Sequence, residues 1–456
     1  MGKKKVQGKN KSILKRRPSE VQYIAGGFFI IILVGAILLT FPFASRSGEW
    51  TNFLDSLFTA TSATCVTGLV VVDTFQNWTI FGQLIILTLI QIGGMGFITI
   101  GVAFSMLLHK RIGLRQRDLM KESVNALELG GIVRLSKKII FGTFIIEGIG
   151  AIVLSIRFIP EFGILKGIYY SIFHSISAFC NAGFDLMGSS EAYTSFTKYV
   201  GDPLVNITLV LLIVIGGLGF VVWNDLMNKK LNWKRYSLHT KLVLTMTVFL
   251  IVVGAFFLYV FEINNTIEDY DGPTKVFASV FGSVTARTAG FNTVDTGALT
   301  SAGKFITVIL MFIGGSPGST AGGIKTTTIA IIILYIISNL RGDNGCNVYG
   351  RKIGDEIIKK ACIVFCINLM LGLIAILVII ATNPIGFEDV VFEVYSAIST
   401  VGMTTGITRD LNTVGRIVII IMMYCGRVGS MTFVLSFMHR TTTVPVRLPE
   451  EKVIIG

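Results

Sequence analysis

Eight long apolar stretches punctuate the chain, at residues 23–43, 80–108, 139–159, 204–227, 242–261, 305–337, 361–381 and 414–438. Each is long enough to cross ~30 Å of hydrocarbon as an α-helix, which takes about 20 apolar residues. They come in pairs. Between the members of each pair lies a shorter, half-apolar segment that ends in a glycine turn. Those segments cannot span. Backbone that turns back at membrane depth is tolerated only where protein buries it or water lines it, so they are expected to re-enter and return.

The short segments align with one another. They read Phe58-Thr-Ala-Thr-Ser62-Ala-Thr-Cys65-Val66-Thr67-Gly68, then Phe173-His174-Ser-Ile-Ser177-Ala-Phe-Cys180-Asn181-Ala182-Gly183. The third, one residue shorter, is Phe281-Gly282-Ser-Val-Thr285-Ala-Arg287-Thr288-Ala289-Gly290, and the fourth is Phe392-Glu393-Val-Tyr-Ser396-Ala-Ile-Ser-Thr400-Val401-Gly402. The four glycines stand 115, 107 and 112 residues apart, so the chain reads as four copies of one unit. A second signal recurs in the later helix of each unit: Gly93-Gly94-Met95-Gly96-Phe97, Gly216-Gly217-Leu218-Gly219-Phe220, Gly314-Gly315-Ser316-Pro317-Gly318 and Gly426-Arg427-Val428-Gly429. Small residues let helix backbones approach closely, and close packing accounts for most of these glycines.

The expected fold is therefore an all-α integral membrane protein. Four repeats, each a span, a re-entrant P-loop and a second span (M1–P-loop–M2), would stand in a pseudo-fourfold arrangement around one central axis normal to the membrane. Two crossings and one re-entry return the chain to its starting side, so all four units share one orientation. Their expected bounds are 21–108, 138–228, 242–338 and 361–440. A basic tail (1–20), cytoplasmic linkers (109–137, 229–241, 339–360) and a C-terminal tail (441–456) complete the chain. Charge fits, because cytoplasmic loops carry the excess of Lys and Arg. The linkers hold Lys110, Arg111, Arg115, Arg117, Lys137 and Lys138, then Lys229, Lys230, Lys234, Arg235 and Lys241, then Arg341, Arg351, Lys352, Lys359 and Lys360. The opposite side carries Glu268, Asp269 and Asp271, and Glu388, Asp389 and Glu393.

Composition narrows the function class. Hydrophobic residues make up 52% of the 456 and charged ones 15%, against about 25% charged in an average soluble domain. That excludes a soluble enzyme, a disordered chain and a disulfide-stapled secreted domain. The net charge of +13 reads as positive-inside bias plus a basic tail on an anionic lipid surface. No aromatic platforms accompany the tail, so nucleic acid is not expected as a partner. The apolar run at 23–43 exceeds a signal-peptide core of about 7–15 residues and is read as an uncleaved first span. Gly2 does not open a myristoylation pattern, because position 6 is Val. The six cysteines (65, 180, 346, 362, 366, 425) include no C-x-x-C pair and are expected to pack as small buried side chains. The histidines are scattered; His109, His239 and His439 flank apolar runs and are expected at interfaces, and His174 lies in the second short segment.

Four matching glycine turns suit a cation. A dehydrating ion needs several oxygens at once, and backbone carbonyls supply them without formal charge. Aiming carbonyls at an axis needs unusual φ/ψ, which glycine adopts without steric cost. Short helices ending near the axis add their negative dipole ends. Past the turns lie Asp73, Asp185, Asp295 and Asp410, expected either as a cation-attracting mouth or as solvated loop acids.

With these motifs in order, the chain resembles the Trk/Ktr/HKT superfamily, and within it the Ktr-type potassium-translocating membrane subunit of bacteria. The Arg287-Thr288-Ala289-Gly290-Phe291 string and residues 447–452 are similar to that subfamily in particular. The resemblance implies K⁺ as the transported ion and a filter of Val66, Thr67, Gly68, Asn181, Ala182, Gly183, Thr288, Ala289, Gly290, Thr400, Val401 and Gly402. Glycine, not the serine of sodium-selective plant relatives, stands in the first turn. It further implies a homodimer in the bacterial plasma membrane with both termini cytoplasmic. A cytosolic ring of RCK-type subunits would dock on it and bind nucleotide (ATP or ADP), with activation by Na⁺. No cofactor is expected in this chain, and no metal beyond the transported K⁺.

Unit 3 departs from its siblings. Gly314-Gly315-Ser316-Pro317-Gly318-Ser319-Thr320-Ala321-Gly322-Gly323-Ile324-Lys325 cannot stay a regular lipid-exposed helix, because Pro317 removes a donor and the glycines loosen the backbone. It is not a Walker loop: Ile324 separates Gly323 from Lys325 and no strand precedes it. In the resembling subunits this region is an intramembrane loop that obstructs the pore, which makes residues 314–323 the expected gate. Arg427, at the matching depth in unit 4, is expected to hold the loop through its carbonyls, or else to pair with Glu147. Two other classes stay open: a secondary transporter coupling K⁺ to Na⁺ or H⁺, and, remotely, a membrane enzyme. No catalytic His/Asp/Glu cluster lies in any span.

Overall fold

The computed structural model describes residues 20–96, 99, 101, 131–189, 191–230, 232–343 and 345–437. The basic tail before Glu20, the greater part of the 109–137 linker, the C-terminal tail, Phe97, His109, His439 and residues 447–452 lie outside the described residues. One order of elements recurs. A long helix comes first: α1 Glu20–Thr40, α4 Ile132–Phe162, α8 Leu238–Glu262 and α12 Asp355–Thr382. A short helix follows each: α2 Phe53–Cys65, α5 Ile164–Phe179, α9 Gly272–Thr285 and α13 Phe387–Ile398. A turn then leads into a final helical segment.

The four long helices are long and apolar enough to cross a membrane. They present apolar side chains outward, among them Ile152, Val252 and Leu377. The short helices are the reverse: in α2 every residue from Phe58 to Cys65 is buried. The final helices start on side-chain caps that occupy orphan backbone donors. Thr79 Oγ1 accepts from Gly82 N at 3.2 Å, Asp202 Oδ1 from Leu204 N at 3.0 Å, Thr300 Oγ1 from Gly303 N at 3.0 Å and Asn412 Oδ1 from Gly415 N at 2.8 Å.

Three of those final segments differ from the continuous spans expected at 80–108, 204–227 and 414–438, while the break within 305–337 falls in the loop expected there. Each is interrupted. Helix α3 (Ile80–Met95) stops at Gly96, α6 (Pro203–Leu218) bends by 95° into α7 (Phe220–Lys229), and α14 (Thr413–Val428) gives way to α15 (Ser430–Phe437). In unit 3, α10 (Ser301–Phe312) and α11 (Thr326–Leu340) flank a non-helical loop. The cause is the last glycine of each glycine-rich signal, at φ 79° in Gly96, 96° in Gly219 and 96° in Gly429, a conformation that ends an α-helix. A helix of 16 residues such as α3 reaches about 24 Å, short of the hydrocarbon thickness.

The first glycine of the same signal has the packing role expected of it. A Cβ on Gly93, Gly216 or Gly426 would run into the carbonyl of Thr64, Phe179 or Ile398, at the end of the unit's own short helix. One repeated signal escaped sequence reading: Gly35, Gly150, Gly254 and Gly372, one per long helix, sit against Leu89, Ser175, Ser283 and Tyr395. The cysteines behave as small buried side chains at 65, 180, 346 and 425, whereas Cys366 is exposed. The only sheet among the described residues is the hairpin Asn347–Val348 with Arg351–Lys352, in the linker after α11.

Replacing Gly216 by Ala should lower the apparent thermal midpoint in detergent by several degrees, because overpacking against backbone costs about 1–3 kcal/mol. Gly26→Ala, where a Cβ meets nothing within 4 Å, should leave the midpoint unchanged or raise it. Equal midpoints for the two variants would remove the close-packing account.

Candidate functional site: a closed ring of glycine turns

Each short helix delivers its chain into the same distorted turn. The entering residue takes a left-handed φ, 57° at Val66, 58° at Asn181, 79° at Thr288 and 53° at Thr400. Two residues on, Gly68, Gly183, Gly290 and Gly402 stand at 94°, 70°, 82° and 95°. Left-handed Val and Thr are rare, at a cost of order 1–3 kcal/mol each, and persist only where the surroundings impose them. Sequence reasoning assigned the unusual geometry to glycine alone and missed this second position.

A hydroxyl from the short helix imposes the shape. Ser62 Oγ accepts from Gly68 N at 3.0 Å and Ser396 Oγ from Gly402 N at 3.1 Å. Ser177 Oγ donates to Phe184 O at 2.7 Å and Thr285 Oγ1 to Phe291 O at 2.5 Å. Phe58, Phe173, Phe281 and Phe392, which open the four motifs, are all buried and anchor the helices.

The turns meet. A Cβ added to Gly68 would lie 2.6 Å from Ala182 O, and one on Gly183 would lie 2.8 Å from Ala289 O. At Gly290 it would run into Val401 O, and at Gly402 into Thr67 O. Unit 1 thus abuts unit 2, 2 abuts 3, 3 abuts 4, and 4 abuts 1. All twelve residues of the expected turn set, from Val66-Thr67-Gly68 to Thr400-Val401-Gly402, come together and are buried. The buried hydroxyls of Thr64, Thr67 and Thr400 have no hydrogen-bond partner among the described residues.

The unit 3 loop lies against this ring. Thr320 Oγ1 is 3.2 Å from Phe179 O and 3.3 Å from the Asn181 amide, and Gly323 packs on Ser399. Gly322 faces the Thr400 side chain. The strand-like ends of the loop pair through Ile313 and Ile324, and Ser316 N donates to Gly217 O at 3.1 Å. Lys325 Nζ turns back onto Ala321 O at 2.8 Å and Gly322 O at 3.1 Å. Arg427 takes the place of the second glycine of its motif and donates to Thr320 O in the loop and to Gly93 O and Gly94 O. The last two belong to the C-terminal end of α3, the negative end of that helix dipole. Glu147 instead accepts from Gln91 Nε2 at 3.1 Å, so the alternative Arg427–Glu147 pair is not formed. A cavity of about 370 Å³ opens beside the loop, lined by Pro317, Ser319, Ala321, Lys325 and Arg427 together with Gly94.

The acids past the turns do not form a common mouth. Asp73 Oδ1 accepts from Phe75 N and Gln76 N at 2.9 and 2.8 Å, and its Oδ2 from Tyr193 N at 2.9 Å. Asp185 accepts from Met187 N at 2.9 Å; burial pushes its carboxyl up to about 7, the Met187 amide opposing and Asp73 adding to the rise. Only Asp295 and Asp410 are exposed. Glu393, read from sequence as an outward acid, is fully buried. His174 is buried as well, while His239 is half-buried. No group of three or more His, Cys, Asp or Glu among the described residues could hold a metal ion.

The family model for TrkH, a cation transport protein, matches residues 11–443. The potassium/sodium uptake protein NtpJ of Enterococcus hirae is 42% identical over 98% of this chain and 99% of its own. The Ktr system potassium uptake protein B of Bacillus subtilis is likewise 42% identical over 98% and 99%, and its Vibrio alginolyticus namesake 36% over 97% and 96%. In structure, the potassium transporter TrkH of Vibrio parahaemolyticus superposes with a TM-score of 0.70 over 94% of this chain and 87% of that one, at 19% identity. These relatives are transporters rather than enzymes. With its apolar spans and this match over nearly its whole length, the chain is a multi-pass membrane protein of the TrkH cation transport family.

Proposed function

We propose that this chain is the membrane pore subunit of a Ktr-type K⁺ uptake system. The ring of glycine turns carries this reading: four carbonyl-bearing turns abut in cyclic order, with no room for a side chain between them. Such a ring would be the selectivity filter of a pseudo-fourfold pore built from four M1–P-loop–M2 units. The unpartnered hydroxyls of Thr64, Thr67 and Thr400 supply further oxygens along the path. One glycine per unit gives fewer strong carbonyl rings than a long filter, so K⁺ is bound weakly enough to leave. The names of the Bacillus subtilis and Vibrio alginolyticus relatives support K⁺ as the ion.

The loop at 314–323 is the gate in this reading, closed by Lys325 and Arg427. Arg427 neutralises carbonyls that would otherwise attract a cation, and its own charge repels one. A charge at membrane depth is functional by default. Opening would withdraw the loop from Asn181 and Thr400, under control of a cytosolic RCK-type ring that binds ATP or ADP. The subunit would act as a homodimer in the plasma membrane, with both termini cytoplasmic and Na⁺ as activator. The second reading is coupled K⁺ and Na⁺ transport, favoured by the printed name of the Enterococcus hirae relative.

In a bacterium lacking its own K⁺ uptake, the chain with its cytosolic partner should restore growth on low K⁺; failure with protein present in the membrane would reject the pore. Gly68→Ser should reduce the preference for K⁺ over Na⁺, since a Cβ there meets Ala182 O at 2.6 Å. Unchanged selectivity would remove Gly68 from the filter. Arg427→Ala, or deletion of residues 315–321, should raise K⁺ flux by roughly tenfold or more, the scale of lost charge-assisted hydrogen bonds. Flux equal to the parent in both would exclude the gate. Flux that follows the gradient of a second ion would select the coupled reading.

A further inference from the structure

Aligned on their buried phenylalanines, the four motifs carry four different residues at the next position: Thr59, His174, Gly282 and Glu393. Their contacts fall into two classes. Glu393 is fully buried and faces hydroxyls rather than a cation. Its Oε2 accepts from Thr404 Oγ1 at 2.7 Å and its Oε1 from Thr408 Oγ1 at 2.5 Å. Thr408 Oγ1 also lies 3.0 Å from Thr404 Oγ1, which accepts from Gly406 N at 3.0 Å. One carboxylate therefore fixes the segment leaving Gly402 to the short helix behind it.

His174 does the same in unit 2. Its Nδ1 lies 2.7 Å from Tyr170 O and its Nε2 accepts from Leu186 N at 3.0 Å. The amide donor assigns the Nε2 lone pair, so the ring is neutral with its proton on Nδ1. Leu186 stands three residues past Gly183, in the segment leaving that turn. In unit 1 the Thr59 hydroxyl bonds back within its own helix, to Asp55 O at 2.9 Å. Gly282 has no side chain to offer.

Units 2 and 4 are not adjacent in the ring order; they face each other across it. The same two units receive the loop, through Asn181 and Phe179 on one side and Thr400 and Ser399 on the other. Two opposite turns are thus held at their exits by a side chain of their own short helix, whereas unit 2 holds the exits of the two between them, Phe196 N donating to Asn292 O at 2.9 Å and Tyr193 N to Asp73 Oδ2 at 2.9 Å. We propose that Glu393 and His174 are positioning residues that fix the outer ends of these opposite turns and so determine how strictly the ring discriminates among monovalent cations. This rests on the reading of the ring as a K⁺ filter. Neither residue touches the ion path; each acts through the segment it holds.

The test measures the K⁺ to Na⁺ preference and the maximal K⁺ flux of Glu393→Ala, Glu393→Gln and the pair Thr404→Val with Thr408→Val, in the full chain with its partner present. Removing the side chain should lower the preference by roughly tenfold, the equilibrium effect of losing both hydroxyl hydrogen bonds. Glutamine, which still bonds both hydroxyls, should stay within roughly twofold of the parent. The threonine pair, with the carboxylate intact, should match Glu393→Ala, and combining the two should add nothing further, as groups in one network do not act independently. A structural role alone would reduce the amount of folded protein and leave the preference untouched. Parental preference in Glu393→Ala, or an equal loss with glutamine, would overturn the proposal. If Glu393→Ala does not reach the membrane, the threonine pair decides by the same criterion. A parent that does not prefer K⁺ to Na⁺ would instead reject the filter reading; a parent that does, with Gly68→Ser impaired and Glu393→Ala normal, would reject this inference alone.

Discussion

Backbone-to-backbone contact among four turns is the constraint on which the rest of the structure depends. The carbonyls of Thr67, Ala182, Ala289 and Val401 occupy the space in which a neighbouring side chain would begin. Only glycine fits, and the residue two places earlier must adopt a left-handed conformation that valine and threonine resist. That strain persists because the short helices are buried and because a serine or threonine hydroxyl pins each turn. The short helices in turn hold position because Gly93, Gly216 and Gly426 let a second helix press on their final carbonyls. Glycine therefore recurs for three separate steric reasons in one unit: the turn, the helix contact below it and the break that follows.

The break has an electrostatic consequence. Ending a helix at Gly96 leaves the carbonyls of Gly93 and Gly94 directed into the interior, and buried acceptors need donors. Arg427 supplies them, and the same guanidinium reaches Thr320 O in the loop. A guanidinium offers five donors in a fixed fork, so it can tie unit 1, unit 3 and unit 4 together at one point. Lysine could not reproduce that geometry. Lys325 plays a more local part, closing the loop on its own carbonyls.

Much of this was legible in the sequence because the signals were repeated. One short apolar segment ending in glycine means nothing, but four copies at near-equal spacing marked the turns, and all twelve of their residues do meet. The loop of unit 3 was legible too, since Pro317 and its glycines exclude a helix. Continuity of the final helices was misread, because hydropathy reports composition and is blind to a single positive φ at Gly96, Gly219 or Gly429. Glu393 was misplaced for a related reason: a carboxylate four residues after Asp389 and five after Glu388 looks solvent-exposed until its hydroxyl partners, 11 and 15 residues away, are seen. Asp73 and Asp185 were read through charge, whereas their oxygens cap local backbone amides. Long-range partners of this kind leave no periodic trace.

The central claim is that a dehydrated K⁺ binds among the carbonyls of the four turns. Crystals grown in Rb⁺ or Tl⁺, with anomalous scattering recorded from those ions, test it directly. The account predicts an anomalous peak on the axis encircled by Gly68, Gly183, Gly290 and Gly402. Ions located elsewhere in the protein, with none inside that ring, would contradict it.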